Sequence, residues 1–287
     1  MKTPPRTMAA LVTPFDEHGS VDGTAHRHNL NQLTEWGLAG FLIGGSTGQG
    51  PYLEPGERGM LTATARDQLG SSAYLLTGVS AQSVRQAAQQ IAEAANAGAD
   101  AVLVTTPTLL LRRSSELVEL FYGLVADLSP LPVFCYSVPA VTGYELPVDS
   151  AIAVCAHPNI VGMKDSGGDP ERVGPIVEGL GDGPYFFVGA SRIVHEAFSR
   201  GAYGSITASG NYAPELAAAA REDADAQDRL SSIASNVEWH GLAGTYAAAD
   251  MVGLRTGTMR PPLVEMAEAE RESMRAVCCP VANRADR

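Results

Sequence analysis

Eight short apolar segments, each followed by a helical pattern, constrain this 287-residue chain more than any other feature. The segments fall at residues 8–12, 40–43, 74–79, 101–105, 133–136, 160–164, 185–188 and 204–206. Helical patterns cover 23–36, a stretch from Pro55, and one from an N-cap at Ser80 to a C′ glycine at Gly98. Others follow at 115–128, after Pro147, after Pro170 and from Arg192. Eight strands each followed by a helix predict an α/β fold, a parallel sheet closed as a (β/α)8 TIM barrel. A doubly wound sheet fits less well, because the early Gly-rich loop lacks the GxGxxG spacing. Beyond residue 213 the chain turns Ala-rich and helical, through 216–226, 229–246 and 262–276. The expected organisation is a barrel over 1–213 with a helical extension, 214–287, packed on it.

Composition bounds the partners. At 45% hydrophobic the chain can build a sizeable core. A net charge of −12 without a basic cluster argues against nucleic acid and anionic membranes. A small molecule is the expected partner. The first residues lack the apolar run of a signal peptide, and no stretch has the length of an uncharged spanning helix. Cys135, Cys155, Cys278 and Cys279 have no metal-ligand spacing. Cys135 reads as a buried free thiol, and the Cys278–Cys279 pair as reduced. A cytoplasmic protein is expected.

Within this frame one side chain stands out. The chain has two lysines, Lys2 and Lys164, and otherwise uses arginine. Arginine substitutes for lysine in ion pairs but cannot lose a proton to become a nucleophilic amine. Codon bias could leave a stray lysine. A lysine kept in an apolar strand is also a candidate Schiff-base former, since burial favours the uncharged, nucleophilic amine.

Barrel enzymes carry their sites at the C-terminal ends of strands. That rule collects Gly44-Gly45-Ser46-Thr47-Gly48-Gln49-Gly50 after strand two, Thr106-Pro107-Thr108 after strand four, Tyr136, Lys164, Gly189, and then Ser205, Ile206 and Thr207. The strand-two loop suits either a carboxylate or phosphate cradle, with Ser46 and Thr47 as donors, or a tight turn with capping hydroxyls. Tyr136 can be a packing residue. Beside an amine and a carbonyl it can instead shuttle the protons of imine formation.

Together these segments resemble the dihydrodipicolinate synthase/N-acetylneuraminate lyase family of class I, pyruvate-dependent barrels. The matching stretches are Leu11-Val12-Thr13-Pro14-Phe15, Gly44-Gly45-Ser46-Thr47-Gly48, Tyr136-Ser137-Val138-Pro139-Ala140-Val141-Thr142-Gly143, Gly162-Met163-Lys164-Asp165-Ser166 and Gly201-Ala202-Tyr203-Gly204-Ser205-Ile206. They occur in family order across about three-quarters of the chain. The resemblance implies Lys164 as the Schiff-base lysine for pyruvate or another 2-oxo acid and Tyr136 as the proton-transfer group. It implies Ser46 and Thr47 at the carboxylate, with Thr47 in a proton relay. It implies no metal or organic cofactor, because the imine is the electron sink, and a homotetramer built as a dimer of dimers.

The departures narrow the reading. Family members often carry a tyrosine after strand four that completes the relay from across a dimer; here Pro107-Thr108-Leu109-Leu110-Leu111 has none. The relay is then broken, or rebuilt with water or Thr108. Where synthases carry an arginine for the second substrate's carboxylate, this chain has Val141, which disfavours that reaction. The usual Glu after Ser-Thr-Gly is Gln49, and Gly189-Ala190-Ser191 lacks the acidic pair that grips polyol tails. The expectation is an aldolase or lyase nearer those members than the true synthases. Its products would be pyruvate and an aldehyde, either from a 2-keto-3-deoxy sugar acid or, as a hydratase-aldolase, of less polar character. A dehydratase or synthase on the same imine, and a non-catalytic 2-oxo acid sensor, are the alternatives.

Overall fold

The structure is a computed structural model that describes residues 2–111 and 114–282, with backbone alone for 276–282. The side chains of Cys278 and Cys279 therefore lie outside the described residues. Among the described residues eight parallel strands close into one barrel in sequence order. They are β1 (Thr7–Ala10), β2 (Gly40–Ile43), β3 (Tyr74–Val79), β4 (Ala101–Thr105), β5 (Val133–Ser137), β6 (Ile160–Asp165), β7 (Tyr185–Val188) and β8 (Gly204–Thr207). Closure comes from β8 on β1, with Met8 opposite Ile206.

The helices are α1 (Gly23–Glu35), α2 (Glu57–Leu69), α3 (Val84–Asn96), α4 (Ser115–Leu128), α5 (Pro139–Thr142), α6 (Val148–Cys155), α7 (Val173–Leu180) and α8 (Val194–Ser199), then α9 (Pro214–Ala219), α10 (Ala224–Trp239), α11 (Gly241–Met251) and α12 (Glu268–Ala282). The β/α alternation read from the sequence is the observed one. No helix among the described residues is long and apolar enough to cross a membrane.

Strand side chains divide by alternation into two layers. Leu76, Leu103, Phe134, Phe187 and Ile206 fill the barrel. Val102, Val104, Val133, Met163 and Val188 pack outward against the helices. Cys135 joins this outer layer as a free buried thiol, with its sulfur 3.8 Å from that of Cys155. The N-terminal end of the barrel is plugged by aromatic rings: Phe134 and Phe187 lie 5.9 Å apart, Tyr185 and Tyr203 4.5 Å. A Cβ at Gly162 would come within 2.7 Å of the Phe134 ring, so the plug requires glycine there. Lys2 lies over Tyr74 at this end and donates to Ser71 O and Ala73 O.

Where boundaries differ from expectation, a contact or turn explains it. Strand one stops at Ala10 because Asn211 Oδ1 takes the Val12 N–H and Tyr246 Oη takes that of Thr13. The helix expected from Pro55 starts at Glu57, after Gly56 at φ +92°. Ser83, not Ser80, caps α3 by accepting the Gln86 N–H; Ser80 is tied through its backbone to Gln90. The 216–226 helix is two, because Asp223 caps α10 through the N–H groups of Asp225 and Ala226. The 229–246 helix breaks between Trp239 and Gly241. The last helix starts at Glu268 rather than 262, since Arg260 is bound to Glu57 and Gly19 O and two prolines follow it. The short α5 was not anticipated.

Candidate active site at the barrel mouth

The register of β5 on β6 sets Tyr136 opposite Lys164. Both are inward positions at the C-terminal ends of their strands, and each is 4% exposed. The Lys164 Nζ stands 4.6 Å from the centre of the Tyr136 ring. Among the described residues no carboxylate lies within ion-pairing distance of it. Asp165, the next residue, faces the other way: its carboxylate accepts from Gly167 N and pairs with Arg172 at 3.2 Å. Alternation along β6 thus separates the amine from the neighbouring acid.

Tyr136 is held from behind. Thr106 Oγ1 donates to its carbonyl at 2.9 Å, and Tyr122 Oη, from α4, lies 3.0 Å from Thr106 Oγ1 and donates to Val104 O. Burial pushes the Tyr122 phenol well above its ordinary value, so it stays a neutral donor. Thr106 therefore points out of the barrel. The phenol oxygen of Tyr136 accepts a hydrogen bond from Ser166 Oγ at 3.3 Å. Ser166 is two residues beyond Lys164 and half-buried. Just past the end of the neighbouring strand β7, a Cβ at Gly189 would come within 2.6 Å of Lys164 Cε and would collide with Ser166 Oγ. Gly189 is the space that both side chains occupy.

The strand-two loop is built around one arginine. Arg58, 3% exposed on α2, donates to the carbonyls of Gly44, Gly78 and Gly50. Burial lowers its pKa to about 10, which leaves it charged at neutral pH. Gly78 is obligatory, because a Cβ there would come within 2.6 Å of Gly44 O. Gln49 takes a left-handed conformation (φ +53°), and its side-chain oxygen accepts the Arg260 N–H. Thr13 Oγ1 donates to Gly48 O. The loop that carries Ser46 and Thr47 is therefore gripped from α2, from the β1 loop and from the segment after α11. Both of these residues are half-exposed.

Of the expected set, Ile206 lies on the inner face with Met8 and Phe187. Ser205 and Thr207 fall on the opposite face of β8. Thr207 Oγ1 bonds Ser209 Oγ, which in turn accepts from Ser191. Ser205 Oγ is buried without a partner. Neither side chain joins Lys164 and Tyr136. Thr108 is tied through its N–H to Gln82 Oε1, as is Leu109. Leu109, Leu110 and Val141 are solvent-exposed, at 76%, 92% and 58%. Sequence reasoning missed Ser166, although it stood inside the quoted Gly162–Ser166 stretch; the i, i+2 spacing from Lys164 was its signal. Arg58 and Tyr122 had no such signal.

The model of the dihydrodipicolinate synthetase family matches residues 3–279. The chain is 29% identical over 280 residues to a 4-hydroxy-tetrahydrodipicolinate synthase from Streptomyces coelicolor, covering 93% of this chain and 90% of that one. It is 32% identical over 207 residues to the synthase of Xanthomonas campestris, covering 72% and 68%. Dihydrodipicolinate synthase of Acinetobacter baumannii, crystallised with pyruvate, superposes with a TM-score of 0.89 at 28% identity, over 98% of this chain and 99% of that one.

Proposed function

The chain belongs to the dihydrodipicolinate synthetase family, an enzyme family of pyruvate-dependent class I carbon–carbon lyases, and from that premise we propose an aldolase that splits a 2-oxo acid into pyruvate and an aldehyde of low polarity. The observation that carries the reading is the buried Lys164 amine over the Tyr136 ring, without a carboxylate partner among the described residues.

Lys164 Nζ attacks C2 of the 2-oxo acid to give a carbinolamine. Tyr136 protonates the departing hydroxyl as water and leaves an imine. The C3–C4 bond then breaks: its electrons flow into the imine to form an enamine, and the C4 hydroxyl gives its proton to the Tyr136 phenolate as the aldehyde leaves. Tyr136 returns a proton to C3, and hydrolysis releases pyruvate and the free amine. Ser46 and Thr47 hold the carboxylate through hydroxyl and backbone donors, with Thr47 also passing protons. Gly189 and Ile206 form the walls, and the imine supplies the electron sink. Ser205 and Thr207 support the end of β8 from outside.

Val141 motivates the low-polarity aldehyde, because it offers no cation to a second carboxylate. The synthase names of the relatives favour a second reading, condensation of pyruvate with a carboxylate-bearing amino aldehyde. We also assign a homotetramer. Leu117, Leu120, Leu124 and Leu128 form an exposed helical stripe on α4, and Leu109 and Leu110 are exposed in the loop after β4, an apolar surface that a second copy would cover.

Borohydride reduction with pyruvate, read by peptide mapping, tests the core of this. An adduct on Lys164 is expected, and its absence would remove the mechanism. Pyruvate release from a panel of 2-oxo acids then separates the readings. Preference for polyhydroxylated substrates, or efficient condensation with the amino aldehyde, would overturn the choice of aldehyde. Sedimentation tests the tetramer.

A further inference from the structure

The phenol of Tyr136 needs a route by which its proton is replaced. Each turnover sends protons through it in both directions, and it is 4% exposed. The tyrosine that would serve it in related enzymes is absent from residues 107–111. Thr108, the other hydroxyl on that loop, is tethered through its backbone N–H to Gln82. The side chain found at the Tyr136 oxygen is instead Ser166, 3.3 Å away and donating to it. With the oxygen's lone pair engaged by Ser166, the phenolic O–H is free to turn toward Lys164 and a bound carbonyl.

Three features hold Ser166 in that place. Its N–H donates to Ser137 O at 2.9 Å, which locks the end of β6 to the end of β5. Period-2 alternation puts it on the face that Lys164 occupies. Gly189 leaves the space that its Oγ fills, since any Cβ there would collide with that oxygen. Ser166 is half-buried, whereas Tyr136 is buried, so the serine is the wetter end of the pair.

We propose that Ser166 closes the proton relay in this chain, in place of the absent tyrosine; the proposal rests on the imine chemistry assigned to Lys164. When Tyr136 has given its proton to the departing hydroxyl, the Ser166 O–H passes its proton to the phenolate. Ser166 takes a proton from water at the mouth in the same motion. In the reverse direction both transfers run backward, and the serine is unchanged over a cycle. Acting through Tyr136, Ser166 is a positioning and relay residue rather than one that touches substrate.

The test uses the full-length enzyme, pyruvate and heavy water. Enamine formation exchanges the C3 hydrogens of pyruvate for deuterium, which NMR follows without any second substrate. Ser166→Ala should slow exchange by roughly 100-fold, the low end of the range for one proton-transfer group, with KM for pyruvate little changed. Ser166→Thr, which keeps the hydroxyl, should stay within about threefold of wild type. Borohydride trapping of the wild type on Lys164 separates imine formation from the proton relay. No wild-type adduct would sink the imine reading itself. Trapping with wild-type exchange in Ser166→Ala, or equal slowing in Ser166→Thr, would overturn the relay alone.

Discussion

The two lysines of this chain sit at opposite ends of one barrel, in opposite kinds of surroundings. Lys2, at the N-terminal end, is part-exposed and surrounded by acceptors: Ser71 O at 2.7 Å, Ala73 O at 2.5 Å and Asp100 Oδ2 at 3.5 Å. Lys164, at the mouth, is 4% exposed and faces an aromatic ring and a serine-bonded phenol. One amine is ringed by two carbonyl oxygens and a carboxylate. The other is enclosed where its charge would have no counter-ion among the described residues. The same residue type is a strut at one end and a candidate nucleophile at the other, and burial with or without acceptors makes the difference.

The largest effects are expected at the lysines themselves. Lys164→Arg should abolish imine trapping and cut turnover by at least about 10³-fold, because a guanidinium cannot form the imine. Lys2→Arg should leave kcat/KM unchanged. Trapping that survives in Lys164→Arg and moves to Lys2 would reverse the assignment. Tyr136→Phe comes next, with a loss of about 10²- to 10⁴-fold in kcat at unchanged thermal stability. A variant within twofold of wild type would return Tyr136 to a packing role.

Two stability tests should leave the mouth untouched. His26 joins α1 to α2 at Leu61 O, and burial lowers its pKa from 6.5 to about 4. The folded state therefore binds its proton less readily than the unfolded chain. The neutral-His contribution is complete above pH 6.5 and is lost as pH falls toward 4, in total about 3 kcal/mol. Chemical denaturation from pH 7 to 4 should show that loss, and His26→Gln should flatten it. An equal slope in the variant would assign the acid sensitivity to other groups. Asp100→Asn has the smallest effect. It weakens the Arg66 pair at 2.7 Å and the Lys2 contact, and should cost about 1–2 kcal/mol. A change in kcat from this variant would show that the two ends of the barrel communicate.

The architecture was legible because its determinants are local. Each βα unit announces itself within some 30 residues, by an apolar run, a turn and a helical pattern. Eight in a row leave few ways to cover parallel strands on both faces. Boundaries failed where the deciding partner was remote. Asn211 ends strand one from about 200 residues away, and Arg260 delays the last helix by pairing with Glu57. In the site, Lys164 and Tyr136 were legible as strand ends, and Ser166 could have been. Ser205 and Thr207 illustrate the opposite: proximity to a strand end placed them on the list, but alternation turned them outward.

By itself, then, the sequence determined the repeated βα units, the barrel and the strand on which its one interior lysine lies. These follow from short-range patterning and from the rule that parallel strands bury both faces. Only the tertiary structure decided what meets that lysine. The β5–β6 register, the missing Cβ at Gly189 and the three carbonyls on Arg58 join residues far apart in the chain. Chain closure alone brings such groups within a few ångströms, and at that range the Lys164 amine acquires its surroundings.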